Sequence, residues 1–231
     1  IALLKNDNDI PELVAKILAG RKIFSEEAND FLYPEVNKLL KDPSCLFDMD
    51  NGINCLISSI KNNETIGILG DYDVDGATSS SILKLFFDHY NIRSEIYIPD
   101  RLKEGYGPNK NAINTFYDKG VKTFITVDCG ATSFNVMDFA NQKGMKAIII
   151  DHHKVDEQLP KCIAHINPSR EEDSSLLNDL AAVGLTFIFI VALRRAIRNL
   201  NLFPDINEPG LKQYLDLVAL GTVCDVVQLK G

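Results

Sequence analysis

The sequence predicts an α/β protein: a doubly wound, mainly parallel sheet with helices on both faces, preceded by a small helical N-terminal cap. Three observations carry that prediction. Apolar residues recur at helical spacing as far as Asn63, they gather into short runs from Thr65 onward, and helical patterns separate those runs. Runs apolar on both faces and divided by helices are parallel strands covered on both sides.

The elements follow in order. Ile10, Leu13, Val14, Ile17 and Leu18, then Leu32, Val36, Leu39 and Leu40, then Met49, Ile53, Leu56, Ile57 and Ile60 mark the helices of the cap, residues 1–63. The main domain spans residues 64–231. Its strands are expected at Ile66–Leu69, Ile96–Ile98, Phe124–Val127 and Ala147–Ile150, with helices at Thr78–Tyr90, Asn109–Lys119 and Ser133–Lys143. A long helix over Asp179–Arg198 and another over Leu211–Leu220 lead to Cys224-Asp225-Val226-Val227. The longest apolar run, Ala181–Leu193, is interrupted by Thr186 and followed by Arg194 and Arg195, so it reads as a buried helix and not a membrane span. No repeat or low-complexity tract is present.

Composition narrows the class. With 45% hydrophobic and 24% charged residues, the chain is neither collagen-like, coiled-coil nor intrinsically disordered. Its formal net charge of −8 lacks the global footprint of a nucleic-acid binder, although a local basic lining can coexist with an acidic far field. Five widely spaced cysteines, without a C-x-x-C pair, suit a reducing compartment and place the protein in the cytoplasm. The chain opens at Ile1 without a Met and closes on Lys230-Gly231 without a stop signal, so the natural protein is expected to extend past both ends.

The chemistry lies at the strand ends. Asp71, Asp73 and Asp75 follow the first strand, Asp128 closes the third, and Asp151, His152 and His153 close the fourth. In an open parallel sheet these ends share one edge, where ligands bind. One such Asp is an ordinary helix cap or turn former. Several from three strands repel one another unless cations neutralise them. Carboxylates with imidazoles and no thiolate pattern suit Mn²⁺ or Mg²⁺ and not structural zinc. A pair of such cations activates water and neutralises phosphoryl oxygens, which makes phosphoester hydrolysis the natural chemistry. Two competing motifs fit less well. Asp71-Tyr72-Asp73-Val74-Asp75-Gly76 opens like an EF-hand loop, yet Ile82 stands where the closing Glu belongs. Asp73-Val74-Asp75-Gly76-Ala77-Thr78 approaches the D-x-D-G-T of haloacid-dehalogenase-like phosphatases, which leaves His152-His153 unexplained.

Gly70-Asp71-Tyr72-Asp73-Val74-Asp75-Gly76, Val127-Asp128-Cys129-Gly130 and Asp151-His152-His153 together resemble the DHH phosphoesterase superfamily. Tyr97-Ile98-Pro99-Asp100-Arg101, Glu104-Gly105-Tyr106-Gly107 and the segment from Leu217 to Val227 resemble its RecJ branch, the single-strand-specific 5′→3′ DNA exonucleases, as do Phe31-Leu32-Tyr33-Pro34 and Phe47-Asp48-Met49-Asp50. The resemblance implies two Mn²⁺ or Mg²⁺ ions held by Asp73, Asp75, Asp128, His152 and Asp225, with Asp128 between them. Asp71 would stand beside the first ion. His153 would either contact the scissile phosphate or orient a ligand. The loop carrying Arg101, Lys103 and Lys110 is either a solvated loop or a phosphate contact; Tyr106 either stacks on a base or packs the loop, and Gly107 beside it allows close backbone approach. Implied with them are single-stranded DNA as partner, a role in DNA repair and recombination with accessory proteins, and downstream DHH-associated and oligonucleotide-binding domains that this chain lacks. Two further readings stay open: a DHH phosphoesterase for short oligonucleotides or cyclic dinucleotides, and a catalytically silent scaffold. Arg194, Arg195 and Arg198 read as charges at a helix C-terminus, and Cys129 and Cys224 as small packing residues.

Overall fold

The computed structural model describes Ala2 and residues 10–229; Ile1, Lys230 and Gly231, on which the expected continuation of the chain rests, lie outside the described residues. The chain divides into two compact units, one reaching to Asp42 and one of Pro43–Leu229. In the first, α1 (Glu12–Gly20), α2 (Ser25–Leu32) and α3 (Val36–Leu39) bury Ala15, Leu18 and Ala28. The Glu27 carboxylate accepts the Phe24 amide at 3.2 Å and fixes the start of α2.

The second unit holds α4 (Met49–Lys61) and a five-stranded sheet of β1 (Ile66–Gly70), β2 (Ser94–Tyr97), β3 (Thr123–Val127), β4 (Lys146–Ile150) and β5 (Ala164–Ile166). The strand order is β2-β1-β3-β4-β5, and every pair is parallel. The chain therefore reverses its direction of winding between β1 and β3, the place where a crevice opens beyond the strand ends. Register sets the height of the residues that follow. Gly70 pairs with Val127, and Val127 with Ile150. The ladder then runs one residue further: the amides of Asp71, Asp128 and Asp151 donate to Val127 O, Ile150 O and Ile166 O at 3.3, 3.0 and 3.1 Å.

Helices α6 (Lys110–Asp118) and α7 (Phe134–Gln142) cover one face, packing Ile113, Phe116, Met137 and Ala140 on Leu69, Phe124, Ala147 and Ile149. Each such side chain stabilises by about 1.5–3 kcal/mol when fully buried. The other face carries α4, α5 (Val74–His89), α8 (Ala182–Asn199) and α9 (Leu215–Cys224). Ser59 of α4 and Thr123 of β3 share a buried hydroxyl–hydroxyl bond of 2.8 Å there. Helix α8 is apolar nearly all round because it is packed among α4, α5 and α9. No helix among the described residues is long and apolar enough to cross a membrane.

Several boundaries differ from the expected ones. Strand β2 sits at the sheet edge with Ile96, and Ile98 just past its end, about two-fifths exposed, so the apolar signal marks only its last part. Strand β5 is three residues long with His165 at its centre, too short and too polar to register as a run. Helix α5 starts at Val74, because Asp73 Oδ1 accepts the Gly76 amide at 2.9 Å and caps it. That draws Asp75 into the first turn. A 3₁₀ turn, Leu211–Tyr214, precedes α9, and α9 runs on to Cys224, which makes Asp225 its C-terminal cap residue. Cys129 is buried as expected, whereas Cys224 is exposed; all five cysteines are free thiols.

Candidate metal centre

Asp71, Asp128 and Asp151 stand side by side at the carboxyl edge, each the residue after its strand. Asp75 and Asp225 reach the same place from α5 and α9. The seven residues Asp71, Asp73, Asp75, Asp128, His152, His153 and Asp225 form three groups, Asp71/Asp73/Asp128, Asp75/His152/Asp225 and Asp128/His152/His153, whose donor atoms lie within 4.8 Å of one another. His152 Nε2 is the hub, 3.4 Å from Asp128 Oδ1, 3.7 Å from Asp225 Oδ2 and 3.8 Å from Asp75 Oδ2.

Backbone amides fix most of these side chains. Asp75 is 1% exposed, and its two oxygens accept the amides of Ala182 and Val183 at 2.7 and 2.8 Å. Helix α8 begins at Ala181 with no capping side chain of its own, so Asp75 serves as a cap supplied from across the fold. Asp151 accepts the Ala131 amide at 2.9 Å and the His152 and His153 amides at 2.8 and 3.2 Å, and holds His153 Nδ1 at 2.7 Å. Tyr106 donates its hydroxyl to the carbonyl of Asp128 at 3.1 Å and lies 3.3 Å from His153 Nδ1. The Gly107 amide donates to Asp71. Asp128 itself adopts a left-handed backbone, φ +60°, a conformation Asp tolerates better than most residues.

Within this cluster three buried atoms, Asp71 Oδ1, Asp128 Oδ1 and His152 Nε2, have no hydrogen-bond partner. Buried polar atoms are almost always satisfied. Asp71 and Asp128 share one group of potential cation ligands and Asp128 and His152 share another, with no cysteine in either, which suits a hard divalent cation. The electrostatics agree. Burial, then the charges of Asp75 and Asp73, push Asp128 up to about 10. Burial raises Asp75 to about 6 against the pull of the Val183 and Ala182 amides. Asp71 and Asp225 are also raised, chiefly by burial. Burial acts on Asp151 in the same direction, yet the His153 bond and the surrounding amides hold it below the ordinary carboxylate value. Asp151 in turn raises His153. A cation bound among these groups would let the raised carboxylates ionise.

The loop after β2 is divided. Arg101 lies over the ring of Tyr72, 5.2 Å from its centroid and between the positions of Asp71 and Asp73 in sequence. Tyr106 and Gly107 enter the centre as described. Lys103 pairs with Asp100 at 3.6 Å, and Lys110, the first residue of α6, stands over Phe139 of α7 at 5.4 Å, so Lys110 belongs to the helical face and not to the crevice. Arg194 and Arg198 pair with Glu208, and Arg195 donates to Ser44, which leaves them to the C-terminal part of α8. Sequence alone missed the amides of α8 as the partner of Asp75. The signal was Ala181-Ala182-Val183, an apolar helix start without Ser, Thr, Asp or Asn, which needs an acceptor from elsewhere.

The profile of the DHH family, N-terminal domain, matches residues 65–222. The chain is 34% identical over 199 residues to the single-stranded-DNA-specific exonuclease RecJ of Haemophilus influenzae, covering 84% of this chain and 35% of that protein. It is 36% identical over 225 residues to the RecJ of Dickeya dadantii, covering 96% of this chain and 38% of that one. The chain thus spans little more than a third of the length of these curated relatives. The crystal structure of an exonuclease RecJ bound to manganese has a TM-score of 0.69 and 27% identity, covering 80% of this chain and 45% of that chain. The matched stretch contains β1 to β5 and every residue of the acidic edge apart from Asp225, just past its end. This chain belongs to the DHH family.

Proposed function

We propose that the cluster is the hydrolytic centre of a 5′→3′ exonuclease acting on single-stranded DNA in DNA repair and recombination. The observation that carries the reading is the set of open buried atoms, Asp71 Oδ1, Asp128 Oδ1 and His152 Nε2, at the switch point of the sheet. The identity with RecJ proteins from two bacteria supports the substrate.

Two ions, Mn²⁺ or Mg²⁺, fit the donor groups. Asp71 and Asp73 would hold one, Asp75, His152 and Asp225 would hold the other, and Asp128 would contribute beside them. When bound, such ions supply Lewis-acid stabilisation of charge on phosphoryl oxygens and lower the pKa of water. The protein supplies the rest. Asp151 fixes His153 by its Nδ1 and favours the protonated ring, in which the other nitrogen is also a donor and can serve a phosphate oxygen. Arg101, stacked on Tyr72 at the rim, contacts the backbone phosphates of the strand. The ring of Tyr106, half exposed, offers a face to a base while its hydroxyl holds Asp128, and Gly107 leaves room for the strand to pass. Five free thiols support a reducing compartment, the cytoplasm.

Hydrolysis of 5′-phosphorylated single-stranded DNA by the protein with Mn²⁺ tests the reading, using Asp128→Ala against wild type. The expected result is release of mononucleotides from the 5′ end by the wild type and none by the variant, with matching circular dichroism. Full activity in Asp128→Ala overturns the site; turnover of dinucleotides alone overturns the substrate.

A further inference from the structure

The position of Asp225 depends on one close helix crossing, and we infer that Gly221 is the positioning residue that sets how near Asp225 stands to the other cation ligands; the inference rests on the metal-centre reading above. Gly221 is the only residue of α9 that is buried, while its neighbours Leu220 and Val223 are half or more exposed. There α9 crosses α5 and α8. A methyl group on Gly221 would lie 2.5 Å from Thr78 Oγ1 and 2.8 Å from Val183 Cγ1.

Neither neighbour can yield. The Thr78 hydroxyl donates to Val74 O at 2.7 Å and to Asp75 O at 3.1 Å, and both side chains are β-branched and stiff. These two residues also flank Asp75. Thr78 follows it by one helical turn, and the Val183 amide grips its carboxylate at 2.8 Å. On the other side, the Asp225 amide donates to Gly221 O at 2.9 Å, so the carboxylate sits one turn beyond the crossing. The contact that excludes a side chain at Gly221 is therefore the contact that brings Asp225 Oδ2 within 3.7 Å of His152 Nε2. Carbon atoms settle at about 3.5–4.0 Å, so a β-carbon forces α9 back by roughly 1 Å. Ligand distances in a working metal site tolerate only about 0.2 Å. Glycine weakens a helix interior through its backbone entropy, and closeness is what offsets that weakness here.

Calorimetric titration of the metal-free protein with Mn²⁺ tests the role, with circular dichroism to follow folding. Gly221→Ala should weaken Mn²⁺ binding at least tenfold while the protein stays folded. Asp225→Glu in that background, longer by one methylene, should restore most of the loss, although Asp225→Glu alone weakens binding. Wild-type affinity in a folded Gly221→Ala, or a loss that Asp225→Glu does not relieve, overturns the inference. If Gly221→Ala does not fold, the combination with Thr78→Ala and Val183→Ala removes both contact atoms. Recovery of folding and Mn²⁺ binding then supports the role, and recovery of folding alone overturns it. Asp225→Ala separates the two levels: normal Mn²⁺ binding by Asp225→Ala refutes the metal centre itself, whereas its failure beside a normal Gly221→Ala refutes only the positioning role.

Discussion

Acid should destabilise this fold through His165, a buried residue outside the groups of potential metal ligands. His165 is 1% exposed at the centre of β5, and neither ring nitrogen has a hydrogen-bond partner. The Arg170 guanidinium lies close by, bonded to the His165 carbonyl at 2.8 Å and to Asp48 Oδ2 at 2.7 Å. Burial, reinforced by the Arg170 charge, lowers the imidazole from 6.5 to about 4. The folded pKa lies below the unfolded one, so protons favour the unfolded chain; this stability is whole above pH 6.5 and drains away as the pH falls toward 4. A gap of roughly 2.5 pH units corresponds to at most about 3.4 kcal/mol, of which about 2 kcal/mol is already lost at pH 5. The assay is urea unfolding of the metal-free protein at pH 7.5 and pH 5, wild type against His165→Leu. The carboxyls of Asp75 and Asp128, raised by burial, act with opposite sign, but they are common to both proteins and cancel in the comparison. Asp48, whose pKa is lowered, titrates below this window. The wild type should lose about 2 kcal/mol more than the variant between the two conditions. Equal losses would refute the argument that His165 is buried neutral and unpaired.

Three further outcomes follow from the same geometry. Asp128→Asn should abolish metal-dependent hydrolysis yet raise the melting temperature of the EDTA-treated protein at pH 7.5, because a carboxyl raised by burial loses its stabilising neutral form as pH rises, and asparagine does not ionise; a lowered midpoint in scanning calorimetry contradicts this. Asp75→Ala removes the acceptor of the Ala182 and Val183 amides, and their hydrogen exchange should accelerate by about tenfold or more, equivalent to ~1.4 kcal/mol of local stability; unchanged protection contradicts the cap. Tyr106→Phe deletes the bond to the Asp128 carbonyl, worth about 1 kcal/mol, and should lower kcat roughly fivefold and the melting temperature by about 2–4 °C; an unaltered kcat contradicts it.

How much of this was legible follows from where each signal is stored. Strands β1, β3 and β4 are buried on both faces, and burial forces near-continuous apolar runs that a linear reading detects. The acids at their ends were legible for the same reason, since parallel strands put their carboxyl ends on one edge whatever the order of the strands. Asp225 was not, because it follows a helix whose packing depends on Gly221 touching Thr78 and Val183, residues far away in sequence. It entered only through a family resemblance. Lys110 stayed open for a related reason: charge in a loop beside the site fits either a solvated loop or a phosphate contact, and only the turn into α6 shows the ammonium carried to Phe139. The edge strand β2 and the three-residue β5 bury too little per residue to leave a clear pattern.

The carboxylates of the crevice are held apart and in place by bonds within the fold. Asp73 caps α5, Asp75 caps α8, Asp71 takes the Gly107 amide, and Asp151 gathers three amides and His153. Some of these bonds are tertiary in effect: Asp75 ties the start of α5 to that of α8, Asp71 ties the end of β1 to the loop after β2, and Asp151 ties the end of β4 to the loop after β3. What they leave over is the unpaired set, Asp71 Oδ1, Asp128 Oδ1 and His152 Nε2. Donors fixed in this way need little ordering when a ligand arrives, which favours tight binding. The cost falls on the metal-free state: Asp128 carries a left-handed backbone, of order 1–3 kcal/mol for a residue other than glycine, and a carboxyl that resists ionising. Relaxing either feature by substitution should therefore make the fold more stable and the centre weaker, which is why stability and function are opposed at Asp128 and aligned at Gly221, where one close contact packs the helix and delivers the ligand.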